Sequence, residues 1–132
     1  MSEPTEALAW VHRAEEEWLL ARSALRRKVP LISGTTFHAQ QCAEKYLKAV
    51  IVSRRHPFPR THDLIALHDL CWGHGIHVPS DPDKLERVTA CAVQVRSPGE
   101  DPTLAEAREA LQIAQAVRRW ARPMLRSSSH QP

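Results

Sequence analysis

The stretch FHAQQCAEKYLKAVIVSRRHPFPRTHDL, residues 37–64, holds two helical patterns separated by prolines. Ala39, Ala43, Tyr46 or Leu47, and Val50 recur at helical spacing and predict the buried face of a helix capped by Ser33 or Thr35. The basic run Arg54-Arg55-His56 suits the negative end of that helix. Pro57 and Pro59 lack an amide donor and push their predecessors out of the α region, so they predict a hinge. A new helix begins near His62 or Asp63, with Leu64, Leu67, Leu70 and Cys71 on its apolar side. The first of these helices also has a polar side. Gln40, Glu44 and Lys48, four apart, form one ridge, and Gln41 and Lys45 form a parallel one. On periodicity alone such a ridge reads as a solvated face stabilised by a Glu-to-Lys pair.

Working outward, Ala7, Val11, Ala14, Trp18, Ala21 and Leu25 draw an apolar stripe down an earlier helix that Thr5 or Ser2 is placed to cap, and Pro30 and Gly34 break it. Downstream, Gly73 and Gly75 stop the third helix. Asp81-Pro82 opens a fourth, with Leu85, Val88, Ala92 and Val95 on one stripe. The fifth starts at Asp101-Pro102 or at the capping box Thr103-x-x-Glu106, and carries Leu104, Ala107, Leu111, Ala114, Val117, Ala121 and Met124. No stretch keeps a strand period and no repeat is evident. The expectation is an all-α protein, a four- to five-helix up-and-down bundle over residues 1–126, followed by a disordered tail at 127–132.

Composition narrows the function classes. The 132 residues suffice for one core without disulfide or metal staples. The net charge of +3 is unevenly placed: residues 1–60 hold ten Lys/Arg against six Asp/Glu, and residues 61–132 hold eight against nine. That permits an anionic partner but falls well short of a nucleic-acid coat. Cys42, Cys71 and Cys91 are well separated and lack metal-ligand spacing, which fits free thiols in a reducing cytosol. The absence of a signal-peptide pattern and of an apolar span predicts a cytoplasmic protein with no membrane partner.

No metal and no cofactor are expected. His56, His62, His68 and His74 recur every six residues, which places them on different sides of any helix, and His74-Gly-Ile-His77 lies in a turn. Phosphate-loop, dinucleotide, nucleophile-elbow and paired-carboxylate signatures are missing. The four tryptophans, Trp10, Trp18, Trp72 and Trp120, read as core or interface residues.

The run F-H-A-Q-Q-C-A-E-K-Y-L-K-A at 37–49, followed by P-R-T-H-D-L at 59–64, resembles the signature of the HEPN family (higher eukaryote and prokaryote nucleotide-binding domains). V-R-S-P-G-E at 95–100 resembles that family's R-x-P-G-E segment, and the likeness extends from Ala7 to Leu125. The resemblance implies a helical bundle that forms a homodimer and pairs with a minimal nucleotidyltransferase in a two-component toxin–antitoxin system, with a cleft for a nucleotide or RNA phosphate. On that basis the candidate binding residues are Gln41, Glu44, Lys45, Lys48, His62, Asp63 and Arg96. Lys45, Lys48 and Arg96 would meet phosphate, Gln41 would offer amide hydrogen bonds, and His62 and Asp63 would orient the cleft. Lys48→Ala and Arg96→Ala are then expected to weaken binding and leave stability nearly unchanged.

Many members of the family are metal-independent ribonucleases with an Arg-x(4–6)-His motif in a late segment. Here the one formal match is Arg55 with His62, across the hinge, while Arg96 in the late segment has no histidine at that distance. Catalysis is therefore not the leading expectation. The alternatives are a ribonuclease toxin using Arg55 or Arg96 with His62, and a purely structural oligomerisation bundle.

Overall fold

The computed structural model describes residues 2–93 and 97–129, with side chains for 6–92 and 97–126. Among them are five helices and no strand: α1 (Ser2–Arg26), α2 (Ile32–Ser53), α3 (Leu64–Gly73), α4 (Pro82–Val93) and α5 (Leu104–Ser129). The apolar stripes face one core, built from Ala14, Trp18 and Ala21 of α1, Tyr46, Leu47 and Val50 of α2, Leu64 and Leu67 of α3, Leu85 and Val88 of α4, and Ala114 and Val117 of α5. No described helix is long and apolar enough to cross a membrane.

Helix α2 is the axis of the molecule and packs against each of the other four helices. Because every side of its middle is covered, its polar residues are buried along with its apolar ones, from Ala39 to Glu44 and from Tyr46 to Val52. The polar ridge expected to be solvated is therefore internal. No buried side-chain nitrogen or oxygen among the described residues lacks a hydrogen-bond partner, so these groups satisfy one another.

Local chemistry sets the helix ends. Asp63 caps α3 by accepting from the Ile65 amide at 2.9 Å, and Asp81 accepts from the Asp83 amide at 2.9 Å at the start of α4. Thr103 and Glu106 form a reciprocal capping box on α5, at 3.1 and 2.9 Å. The start of α2 differs from expectation. Its N-cap is Leu31, with no side-chain cap, and Gly34 lies inside the first turn. Neither Ser33 nor Thr35 caps; the Thr35 hydroxyl instead donates back to the Leu31 carbonyl at 2.8 Å. Glycine keeps its amide and costs a helix only about 1 kcal/mol of backbone entropy, so Gly34 does not interrupt α2. At the other end of the chain, Ser127–Ser129, expected in a tail, continue α5, and residues 130–132 lie outside the described residues.

Helices α2 and α3 end in the same Schellman geometry. The amides of Gly75 and Ile76 donate to the carbonyls of Trp72 and Cys71, and those of Arg55 and His56 donate to Val52 and Ile51. The motif needs a left-handed residue, supplied on α3 by Gly75 (φ 76°) and on α2 by Arg55 (φ 62°). The two ends meet where the His56 and His74 rings stack, with centroids 3.5 Å apart.

Candidate functional site: a buried ion pair carrying an exposed histidine

The middle of α2 and the hinge build one polar cluster. Glu44, whose side chain is 3% exposed, takes Lys48 Nζ on Oε2 at 2.9 Å and His62 Nδ1 on Oε1 at 2.8 Å. Gln41 Nε2 reaches the Gln40 Oε1 at 2.8 Å and lies 3.4 Å from Glu44 Oε1. Gln40 Nε2 donates to the His62 main-chain carbonyl at 2.5 Å and so pins the hinge to the helix.

The cluster is roofed by aromatic rings from two other elements. Trp10 of α1 and Phe58 of the hinge meet edge-on, with centroids 5.7 Å apart, and Lys48 Nζ lies 5.4 Å from the centre of each ring. The Arg13 guanidinium sits 5.6 Å from the Trp10 ring. The Lys48 side chain, at 8% exposure, is committed to Glu44 and these rings. Its ammonium is not offered to a ligand, and the expectation that Lys48→Ala spares stability does not survive its burial.

His62 is the opposite case, with a side chain 68% exposed. A carboxylate only accepts, so the proton on the Glu44 side belongs to Nδ1, and Nε2 points outward as an acceptor in the neutral ring. The arrangement is a buried carboxylate fixing the tautomer and direction of an exposed imidazole. Chemically it can accept a proton, or donate one once charged, or bind an anionic oxygen.

Of the residues expected in the site, Gln41, Glu44, Lys48 and His62 come together. Lys45 does not join them; its ammonium donates to Glu17 of α1, which also holds His38 Nδ1 at 2.6 Å. Asp63 caps α3 as described. Arg96 lies outside the described residues. The side chain of Arg55 makes no hydrogen bond or ion pair among the described residues, with His62 or any other group. Three members escaped the sequence reading. Gln40 was visible only as part of the ridge, and Trp10 and Phe58 are too far apart in the chain for any spacing to join them.

A second polar cluster, on the α5 side of α1 and α2, is structural. Arg118 grips Glu15 with two bonds of 2.7 and 2.9 Å, the Tyr46 hydroxyl donates to Glu15, and Arg122 stands 3.6 Å away. The Arg118 hydrogen bonds hold the Glu15 carboxyl below its ordinary value despite partial burial, while burial and the bond to Glu15 raise the Tyr46 hydroxyl.

The comparison with known protein families agrees with this architecture: the model of the HEPN domain matches residues 7–124. The chain belongs to the HEPN family. No curated protein and no solved structure gives a match. The matched segment runs from the first core residue of α1, through the Glu44–His62 cluster, to the last turns of α5.

Proposed function

We propose that this HEPN protein binds a phosphate of a nucleotide or of RNA at the corner formed by α1, the middle of α2 and the hinge, with His62 as the group that meets the ligand. The observation that carries this reading is the Glu44–His62 pair at 2.8 Å, in which a buried carboxylate aims an imidazole that is itself mostly exposed. Gln40 and Gln41 act as positioning residues, and Lys48 holds the other oxygen of Glu44. Positive charge around the corner comes from the exposed Arg13 and Arg60. The family resemblance adds the setting: a homodimer that pairs with a minimal nucleotidyltransferase in a two-component toxin–antitoxin system. Calorimetric titration with ATP tests the corner. His62→Ala and Arg60→Ala should each weaken binding several-fold; Arg60→Ala should leave the melting temperature unchanged, while His62→Ala, which removes one hydrogen bond from the buried Glu44, should lower it by a few degrees at most. Equal affinity in wild type and both variants would remove His62 from the ligand.

A second reading, a metal-independent ribonuclease, is favoured by one observation. Arg55 occupies a left-handed position that the same motif on α3 gives to glycine, at a cost of about 1 kcal/mol, and nothing in the described structure uses its side chain. In this chemistry His62 Nε2 would take the proton of a ribose 2′-hydroxyl as its oxygen attacks the adjacent phosphorus. The 5′-oxygen would leave and take up a proton from the imidazolium or from water to give a 2′,3′-cyclic phosphate, and an arginine would stabilise charge on the phosphate. Incubation of purified protein with mixed RNA in EDTA decides it. Cleavage that is lost in His62→Ala and Arg55→Gly establishes the ribonuclease; intact RNA with the wild-type protein leaves the binding module.

A further inference from the structure

Away from that corner, the C-terminal half of α1 carries an open groove of about 400 Å³ lined by Leu19, Arg22, Ser23, Arg26 and Arg27. It shares no residue with the Glu44–His62 cluster. Arg26 lies sixteen residues beyond Trp10 on the same helix, about 24 Å along the axis.

The chain neutralises buried and interhelical cations elsewhere: Lys48 by Glu44, Lys45 by Glu17, Arg118 by Glu15 and Arg87 by Glu109. The groove is different. No carboxylate stands three or four residues before or after Arg22, Arg26 or Arg27, so no intrahelical pair can form, and none of the three has an ion pair among the described residues. Glu15 and Glu17, further up α1, are already occupied by Arg118 and Lys45. Arg22 and Arg26 stack one turn apart as like charges, an arrangement that destabilises a helix. The macrodipole accounts for Arg26 in the last turn, but Arg22 stands a full turn earlier and gains little from it. The groove therefore concentrates positive charge that the fold leaves uncompensated.

We infer that this groove is a binding site for the ribose-phosphate backbone of single-stranded RNA, separate from the His62 corner. All three cations are arginines, whose planar forks match phosphate oxygens in pairs and whose faces stack on bases. Leu19, 59% exposed at the edge of the groove, offers an apolar surface for a base. The groove is open along α1, which lets a chain run past and does not enclose a single nucleotide.

The test is fluorescence anisotropy of a short labelled oligouridylate with the full chain across a salt series. At ~0.7 in the log–log slope per phosphate contact, Arg22→Ala/Arg26→Ala should lower the slope by about 1.4, which amounts to about 25-fold in affinity between 1 M and 0.1 M salt. The melting temperature should not fall, and Arg22→Lys/Arg26→Lys should keep the slope. An unchanged slope and affinity in the alanine double variant overturns the site. So does displacement of the RNA by oligoglutamate of equal charge, which would mark an acidic protein partner. His62→Ala separates the two sites: loss of RNA binding there with no effect of the arginine changes removes the groove and keeps the corner, and the reverse result does the opposite.

Discussion

Separating Glu44 from Lys48 should cost more than any surface ion pair, and removing both should cost little. Glu44→Leu leaves an ammonium at 8% exposure with only the Trp10 and Phe58 rings for company. Breaking a buried pair from one side costs ~3–5 kcal/mol, and the two rings return about 1, so roughly 3 kcal/mol is expected. Lys48→Met strands the carboxylate instead; His62 remains as its partner, so the loss should be somewhat smaller, about 2 kcal/mol. The double variant Glu44→Leu/Lys48→Met has no stranded charge and should lie within about 1 kcal/mol of wild type. An unfolding entropy of ~2.1 cal/mol/K per residue over 132 residues is about 0.28 kcal/mol/K, so the Glu44→Leu loss appears as a drop of roughly 11 °C in melting temperature. Urea unfolding of the four proteins supplies the free energies and calorimetry the temperatures. If the two single losses simply add in the double variant, carboxylate and ammonium do not sense one another and the buried-pair account is wrong.

Three further outcomes can be measured. Glu15 has a folded pKa held below its ordinary 4.5 by Arg118, so its contribution is present above that value and is lost as pH falls through the depressed folded value; Glu15→Gln should flatten the acid limb of a stability–pH curve in that window. Burial raises the pKa of both the Cys42 and the Cys71 thiols, Cys71 to about 11, while Cys91 is partly exposed, so a thiol reagent at mildly alkaline pH should modify Cys91 quickly and the other two only on unfolding. Arg55→Gly relieves the left-handed strain at the end of α2 and should raise stability by about 1 kcal/mol in urea unfolding; a loss would mean that the arginine side chain holds the hinge.

Fold class and most helix ends were legible because their causes are local. Asp63, Asp81 and the Thr103–Glu106 box each bond to an amide two or three residues away, and such bonds leave a spacing in the sequence. Gly34 misled because a glycine weakens a helix by only about 1 kcal/mol and, unlike proline, does not break it. The site was legible in part. An i, i+4 Glu–Lys pair looks the same whether water or four helices surround it, so periodicity placed Glu44 and Lys48 on one ridge and left their burial open. Lys45 and Lys48 are three residues apart, yet that small turn sends one to Glu17 on α1 and the other beneath Phe58. The roof of the cluster joins Trp10 to Phe58, and only the folded chain brings those rings together.

The central place of α2 also governs how the molecule opens. An element that touches every other helix cannot be released by a local fluctuation, so the amides of its middle, around Cys42 to Val52, should exchange with deuterium only through global unfolding. The shorter α3 and α4 pack on α2 and on each other, and α4 also on α5, so their amides should exchange before those of the α1–α2–α5 core. His62 lies between the two: its Nδ1 and carbonyl are tied to α2, and Asp63, the next residue, caps the short α3. Whatever approaches Nε2 thus meets a ring anchored to the most enclosed helix of the bundle, on a loop that leads into one of the shortest.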